Sequence, residues 1–73
     1  MTSQEKLVRI GEVLESLPSL QFRIRLVEDG HEILGYLGGK MRLHRIRILP
    51  GDTVRVDLNS DKDDRGRIVY REK

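Results

Sequence analysis

The sequence is poor in the residues that stabilise small proteins through disulfides, metal sites or large aromatic cores. It has no cysteine and no tryptophan among its 73 residues, and only two prolines. Without cysteine it can form neither a disulfide nor a cysteine-ligated zinc site, and this composition fits a reducing compartment. No stretch approaches the ~20 apolar residues of a membrane-spanning helix, and residues 1–6 lack the apolar run of a signal peptide. We therefore expect a soluble, cytoplasmic protein.

The short chain also limits how large a core can be buried. A domain of this size lies near the lower end of what folds without disulfides or metals. It leaves little room for a deep active site, so we expect function to lie on the surface. The sequence has no cysteine nucleophile and no glycine-rich phosphate loop, and neither His31 nor His44 has a partner carboxylate at a motif spacing. We predict a protein that is not an enzyme and that uses no cofactor or metal.

Positive charge is concentrated in the segment 38–52. Its cations are Lys40, Arg42, Arg45 and Arg47, and it contains no acid before its last residue, whereas the whole chain has a net charge of only +2. Such a cluster repels itself unless a polyanion supplies the counter-charge, and nucleic acid phosphate is the usual one. For the charges alone, a solvated surface without a partner is the alternative. The flanking Gly-Gly and Pro-Gly-Asp predict a short helical turn that leads into a strand and a tight turn.

Most of the chain has the apolar periodicity of β-strands. Phe22, Ile24 and Leu26 alternate with arginines, which places the three apolar side chains inward. Gly30 can supply the positive φ of the turn that follows. The pattern predicts five strands, at residues 8–17, 22–26, 31–37, 54–58 and 66–71, and a polar loop at residues 59–65.

Five short strands with one helical turn after the third favour an all-β fold, a small closed barrel. Closure removes the unpaired edges that a small open sheet would expose. Gly11 and Gly35 are expected at bends, turns or bulges, because tightly curled strands need positions without a Cβ. We predict one domain over residues 7–73, preceded by a flexible tail at residues 1–6.

Several motifs together carry a resemblance to a known family. They are Gly11-x-Val13-Leu14-Glu15-x-Leu17-Pro18, Phe22-Arg23-Ile24, Gly30-His31, Gly39-Lys40-Met41-Arg42, Ile46-Arg47-Ile48-Leu49-x-Gly51-Asp52-x-Val54-x-Val56 and Gly66-Arg67-Ile68-Val69-Tyr70-Arg71. Over about residues 7 to 72 the chain resembles bacterial translation initiation factor one, whose fold is the five-stranded oligonucleotide-binding (OB) barrel. The resemblance implies a monomeric factor that binds the small ribosomal subunit at the decoding region of the aminoacyl site. It also implies contacts with ribosomal RNA and a neighbouring ribosomal protein, and assistance to the other initiation factors.

All candidate RNA-binding residues are lysine, arginine or histidine. The resemblance places Lys40, Arg42 and Arg47 on basic positions of the family, where they would contact RNA phosphates, and an arginine can do so bidentately. His44 and Arg45 lie in the same turn, at positions where the family is less uniform.

The strands add three further candidates, Arg23, Arg67 and Arg71. Arg67 and Arg71 are two strand steps apart on the last strand. Regular alternation would therefore place both on one face, together with residue 69.

Aromatic side chains are scarce, with one phenylalanine and two tyrosines. Phe22, Tyr36 and Tyr70 are too few to stack successive bases, so we expect recognition through shape and phosphate charge. Tyr36 also stands where the family usually has histidine. Ser60-Asp61-Lys62 stands where relatives often have Pro-Tyr-Asp, and we hypothesise that this acidic loop points away from RNA.

Three other functions compete with this one. The runner-up is a generic single-stranded RNA-binding or RNA-chaperone OB-fold protein. A protein-binding barrel without an RNA role would use the acidic loop as its contact surface. Asp57-x-Asn59-x-Asp61 imitates the start of a calcium loop, but Lys62 and Ile68 occupy the positions where that loop needs glycine and glutamate.

Overall fold

The strands form one closed barrel in the computed structural model, which describes residues 7–60 and 62–72. The elements are β1 (Leu7–Leu17), β2 (Gln21–Leu26), β3 (Glu32–Leu37), α1 (Gly39–Leu43), β4 (Thr53–Leu58) and β5 (Arg65–Glu72). The strand order around the barrel is β1-β2-β3-β5-β4, and β3 pairs with β5 in parallel while the other pairs are antiparallel. The predicted five-stranded OB barrel, with a helical turn between strands three and four, is confirmed.

The structure does not test the predicted domain limits. The tail at residues 1–6 lies outside the described residues, and the assignment of residues 7–73 to one domain stays a prediction. Among the residues that the structure describes, no helix has the length and apolar character needed to cross a membrane.

The core consists mainly of side chains at alternate strand positions, which point into the barrel. Phe22, Ile24 and Leu26 of β2 are all buried, as their alternation predicts. The buried apolar residues are Val13, Phe22, Ile24, Leu26, Ile33, Met41, Ile48, Val54, Val56, Leu58 and Ile68. Full burial of a side chain of this size stabilises the fold by about 1.5–3 kcal/mol, and these residues come from all five strands, from α1 and from the segment after it.

Gly11 and Gly35 let β1 and β3 approach the side chain of Ile24 on the strand between them. A Cβ at Gly11 would lie 2.4 Å from Ile24 Cγ2, and one at Gly35 would lie 2.3 Å from Ile24 Cδ1. Both distances are far below van der Waals contact. The two glycines therefore lie within strands, as positions where a core side chain covers the backbone.

The turn between β2 and β3 has the predicted geometry. Gly30 has φ 76°, and its N–H donates to the Leu26 carbonyl over 2.9 Å. The Asp29 carboxylate accepts from the backbone N–H of His31 over 2.9 Å, which fixes the chain as it enters β3.

The strand predicted after the helical turn, at residues 46–49, is wrong. Residues 46–49 alternate in burial, with Ile48 buried and Arg47 and Leu49 exposed, but they form no strand ladder. The next strand begins only at Thr53. The barrel already closes through β3 and β5, so no free edge is left for this segment to pair with.

Candidate nucleic-acid interface

The cationic side chains of helix α1 face solvent because Met41, on the opposite side of the helix, packs into the core. Met41 is buried in the core, whereas Lys40 and Arg42 are exposed. The helix ends by tightening, since the N–H of His44 bonds to the Lys40 carbonyl and the N–H of Arg45 bonds to the Arg42 carbonyl. Arg45 then adopts φ 55°, the left-handed conformation that commonly terminates helices.

The segment after the helix is fixed from several sides without a strand ladder. The Ile46 N–H bonds to the Met41 carbonyl over 3.1 Å. The Arg71 guanidinium of β5 donates to the Arg47 carbonyl over 2.7 Å. The Asp52 carboxylate accepts from the Leu49 N–H over 2.9 Å. Arg47 is therefore presented on ordered backbone.

The cations that follow β3 differ from most other arginines of the barrel, because they form no ion pairs within the described residues. Within residues 7–60 and 62–72, no carboxylate forms an ion pair with Lys40, Arg42, Arg45 or Arg47. His44 is exposed beside them. We name these five residues the basic turn. Four positive charges without a carboxylate partner in the described structure make it the surface most suited to phosphate.

Five arginines elsewhere on the barrel are held by carboxylates, whereas Arg65 and Arg71 form no ion pair within the described residues. The pairs are Arg9–Glu28, Arg23–Glu15, Arg25–Glu12, Arg55–Glu72 and Arg67–Asp57. The Arg23 pair measures 3.2 Å between Nη2 and Oε2, with both side chains about half exposed. Exposed pairs of this kind are worth about 0–1 kcal/mol, so Arg23 could exchange Glu15 for a phosphate at small cost.

Arg67 is the most constrained of the predicted site residues. Its Nη2 lies 3.3 Å from Asp57 Oδ2, and the Asp57 side chain is only 16% exposed. Its Nε is buried without a hydrogen-bond partner among the described residues. The side chain runs beneath Gly38, where an added Cβ would lie 3.2 Å from Arg67 Cδ. Arg67 thus lies beside the start of α1, on the same side as Lys40.

The prediction that Arg67 and Arg71 share a face is wrong, because β5 contains a bulge. Val56 pairs with Ile68, while the preceding residue of β4, Arg55, pairs with Tyr70, so Val69 is the extra residue. The inserted residue reverses the alternation beyond it. Arg67 therefore lies on the outer face against Asp57, and Arg71 reaches the Arg47 carbonyl.

The two tyrosines lie beside residues outside the basic turn. Tyr36 is 47% exposed on β3 and lines a shallow hollow with Asn59, Asp63, Asp64 and Arg65. The Tyr70 ring lies under the Arg55 guanidinium, with 5.2 Å from Arg55 Cζ to the ring centroid. Recognition through charge and shape rather than through serial stacking stays a prediction.

The acidic loop lies at the other end of the barrel. Helix α1 follows the end of β3, whereas the loop precedes Arg65, which pairs with Leu34 near the start of β3. Asp63 accepts hydrogen bonds from the N–H groups of Asn59 and Ser60, so this carboxylate organises the loop. Asp61 lies outside the described residues. Among the described residues no group of three or more acidic, histidine or cysteine side chains could hold a metal ion.

A groove beside the basic turn was not anticipated from the sequence. It has a volume of about 590 Å³ and lies between the β1–β2 turn and residues 45–49. Leu20 and Leu49 line it and are 52% and 51% exposed. The sequence signal was weak, because a leucine that follows Pro-Ser predicts a turn and says nothing about where its side chain lies.

Comparison with known proteins identifies a family and several solved structures that resemble this chain. The family model for Translation initiation factor 1A / IF-1 matches residues 1–73. The solution structure of translation initiation factor IF-1 from the Wolbachia endosymbiont strain TRS of Brugia malayi is 37% identical, with a TM-score of 0.76. That match covers 97% of this chain and 83% of the other. The crystal structure of YjeQ from Thermotoga maritima is 31% identical with a TM-score of 0.73, over 92% of this chain but only 23% of the other.

Proposed function

The chain belongs to the Translation initiation factor 1A / IF-1 family, as a bacterial-type, non-enzymatic initiation factor, and from this premise we propose that it binds the small ribosomal subunit at the decoding region of the aminoacyl site. Its contacts there are with ribosomal RNA and a neighbouring ribosomal protein. It acts as a monomer in the cytoplasm and assists the other initiation factors.

The observation that carries this proposal is the state of the basic turn. Lys40, Arg42, Arg45 and Arg47 have no carboxylate partner within the described structure, whereas five of the seven other arginines in the described residues do. A folded polyanion can therefore bind these four cationic side chains, and no ion pair within the described structure has to be broken first. Arg71 supports the same surface by holding the Arg47 backbone.

The predicted site residues take different roles in this proposal. Lys40, Arg42 and Arg47 contact phosphates directly, with His44 and Arg45 beside them. Arg71 positions the segment that presents Arg47. Arg23 lies on the barrel wall and Arg67 beside the start of α1, and each contacts RNA only by exchanging or sharing its carboxylate partner, Glu15 or Asp57, so their contribution is smaller. The ion pairs of Arg23 and Arg67 and the hydrogen bond of Arg71 support these assignments.

A generic single-stranded RNA binder is the second candidate, and one feature of the surface weighs against it. Such proteins stack successive bases on aromatic side chains along a basic groove. Here Phe22 is buried, Tyr36 lies beside the acidic loop and Tyr70 lies under Arg55. Docking onto pre-folded RNA needs no such row of rings, because phosphates arranged by the RNA fold supply the specificity.

Co-sedimentation with purified small subunits tests the proposal. We expect stoichiometric binding that weakens steeply as salt rises, since phosphate neutralisation releases counterions. Unlabelled single-stranded oligonucleotide, at equal nucleotide concentration, should displace little of the protein. Equal preference for subunits and oligonucleotide would support the generic binder, and binding that is indifferent to salt would contradict the role of the basic turn.

A further inference from the structure

Three exposed apolar side chains lie together on the outer wall of the barrel. Val8 and Ile10 are two residues apart on β1, so both point outward, and they are 51% and 38% exposed. Val27 is 68% exposed and lies directly opposite Ile10, because its N–H donates to the Ile10 carbonyl over 2.9 Å and extends the β1–β2 register by one residue. We name Val8, Ile10 and Val27 the apolar patch. Contiguous exposed apolar surface marks interaction sites, whereas single exposed apolar residues do not.

The charged side chains around the apolar patch are paired with each other. On β4, Arg55 lies opposite Ile10. The residue opposite Val8 is Asp57, and Glu12 is the next outward residue of β1. The pairs that these and neighbouring side chains form are Arg9–Glu28, Arg25–Glu12, Arg55–Glu72 and Arg67–Asp57. The four cations and four carboxylates of this rim cancel, so the rim carries no net charge.

Charge balance at the rim determines which partner the apolar patch complements. A phosphate backbone needs cations that are not already paired, and so does a strongly acidic peptide. A strongly basic peptide would compete with the rim arginines for their carboxylates. An apolar face without charge complements the patch best, because its binding buries apolar surface and leaves the rim ion pairs in place.

The neighbouring strands keep the patch open and determine how a partner can approach it. The Arg55 guanidinium lies over the Tyr70 ring and pairs with Glu72, both on β5, so it does not cover Ile10 of β1. The backbone of Ile10 has partners on both sides, in β4 and at Val27, so a partner cannot add a strand there. An α-helix satisfies its own backbone groups and presents a stripe of apolar side chains.

We propose that the apolar patch binds an amphipathic α-helix of a partner protein, whose aliphatic, uncharged face packs on Val8, Ile10 and Val27. The proposal goes beyond the proposed function, because it assigns a protein-binding surface that shares no residue with the basic turn. It does not rest on the proposed function, since the patch contains none of the predicted RNA-binding residues.

Selection from a displayed library of single α-helices, randomised on one face and with the full chain as bait, tests the proposal. The enriched helices should carry aliphatic residues, without charge, at the centre of that face. The consensus helix, synthesised with a fluorescent label, should bind the chain in an anisotropy titration. Its affinity should change less than about 2-fold over a salt range in which small-subunit binding falls about 10-fold or more. Calorimetry should give a negative heat-capacity change, the mark of apolar burial.

Matched variants locate the site. Ile10→Thr and Val27→Thr should each weaken helix binding at least about 5-fold, and the double variant should weaken it further. Threonine keeps the β-branched shape that suits a strand, so the barrel should stay folded. Leu43→Gln is the control, because it removes a 75% exposed apolar side chain outside the patch and should leave helix binding unchanged. Circular dichroism checks that every variant is folded.

Four results would overturn the proposal. The first is a library that yields no helix, or helices with charge at the centre of the selected face. The second is a helix whose affinity ignores both threonine substitutions. The third is sedimentation equilibrium that shows a dimer of the chain, lost in Ile10→Thr, which would make the patch an interface between copies.

Small-subunit binding by the double threonine variant is measured in parallel and should equal that of the unchanged chain. Its loss is the fourth result, because it would assign the patch to the ribosomal contact. Failure of the helix site with subunit binding intact leaves the proposed function standing, so the two failures are distinguished.

Discussion

The Arg71 guanidinium of β5 donates a hydrogen bond to the Arg47 carbonyl, 24 residues earlier in the chain, over 2.7 Å. The bond ties the last strand to the segment that presents the basic turn. That segment lacks a strand ladder, so this side-chain contact replaces part of the backbone pairing that a strand would have had. One arginine thus adds a positive charge and also fixes the backbone of another.

Replacing Arg71 by methionine should have a larger effect than the loss of one charge. We expect the free energy of unfolding to fall by about 0.5–1.5 kcal/mol, the net value of one hydrogen bond. Amide hydrogens in residues 46–49 should exchange faster, and subunit affinity should fall. Arg65→Met, with the same charge change at the other end of the barrel, is the control. Equal effects of the two substitutions would contradict a positioning role for Arg71.

The triple substitution Lys40→Ala, Arg42→Ala and Arg47→Ala should separate binding from folding. All three side chains are exposed, so stability should change little. Subunit affinity should fall at least ~10-fold, and the salt slope should decrease by about one for each phosphate that the variant no longer neutralises.

The control for that variant removes the same charge from the ion-paired wall, through Arg9→Ala, Arg25→Ala and Arg55→Ala. It should keep most of the affinity, because these arginines are paired with carboxylates. If the two triple variants bound equally weakly, net charge and not the basic turn would govern binding.

Ile24 provides a test of the tight strand contacts. Gly35→Ala should be strongly destabilising, because its Cβ would lie 2.3 Å from Ile24 Cδ1. Ile24→Val removes that Cδ1 and costs about 0.5–1.5 kcal/mol alone. In combination it should recover part of the stability lost in Gly35→Ala.

Gly11→Ala is the matched control for that rescue. Its Cβ would lie 2.4 Å from Ile24 Cγ2, an atom that valine keeps, so Ile24→Val should not rescue it. Thermal unfolding of the single and double variants gives both coupling energies. Rescue of both glycine variants, or of neither, would show that the barrel relaxes in some other way.

Backbone strain at Leu20 predicts an unusual order of stability. Leu20→Asn and Leu20→Ala remove the same apolar contact, but asparagine tolerates φ near 57° better than alanine does. We expect the asparagine variant to be more stable than the alanine variant by about 0.5–1 kcal/mol in chemical denaturation. The reverse order would mean that the turn relaxes out of the left-handed region.

The strands could be predicted from the sequence because a side-chain period of two needs only local information. Phe22, Ile24 and Leu26 alternate, and the structure buries all three. The same reasoning failed at Ile46 and Ile48, since alternating burial does not require a pairing partner. It failed again at Arg71, because the bulge at Val69 arises from pairing with β4, which no local pattern records.

The site could be predicted in part for a related reason. The segregation of cations between Lys40 and Arg47 is visible in the sequence. Which other arginines are paired is not, because Arg25 and Glu12 meet only through the pairing of β1 with β2. The groove depends on the left-handed backbone of Leu20, a property of the folded turn.

The parallel pairing of β3 with β5 also has a consequence for how the chain assembles. β5 is the strand that joins β3 to β4, so the barrel cannot close until the chain has been synthesised as far as Glu72. Until then β3 and β4 each present an unpaired edge, and β4 can pair only with β1, whose Leu7 lies opposite Leu58. Pairing between such distant parts of a chain slows folding, and open strand edges promote association. A nascent chain released before β5 would therefore be prone to aggregate.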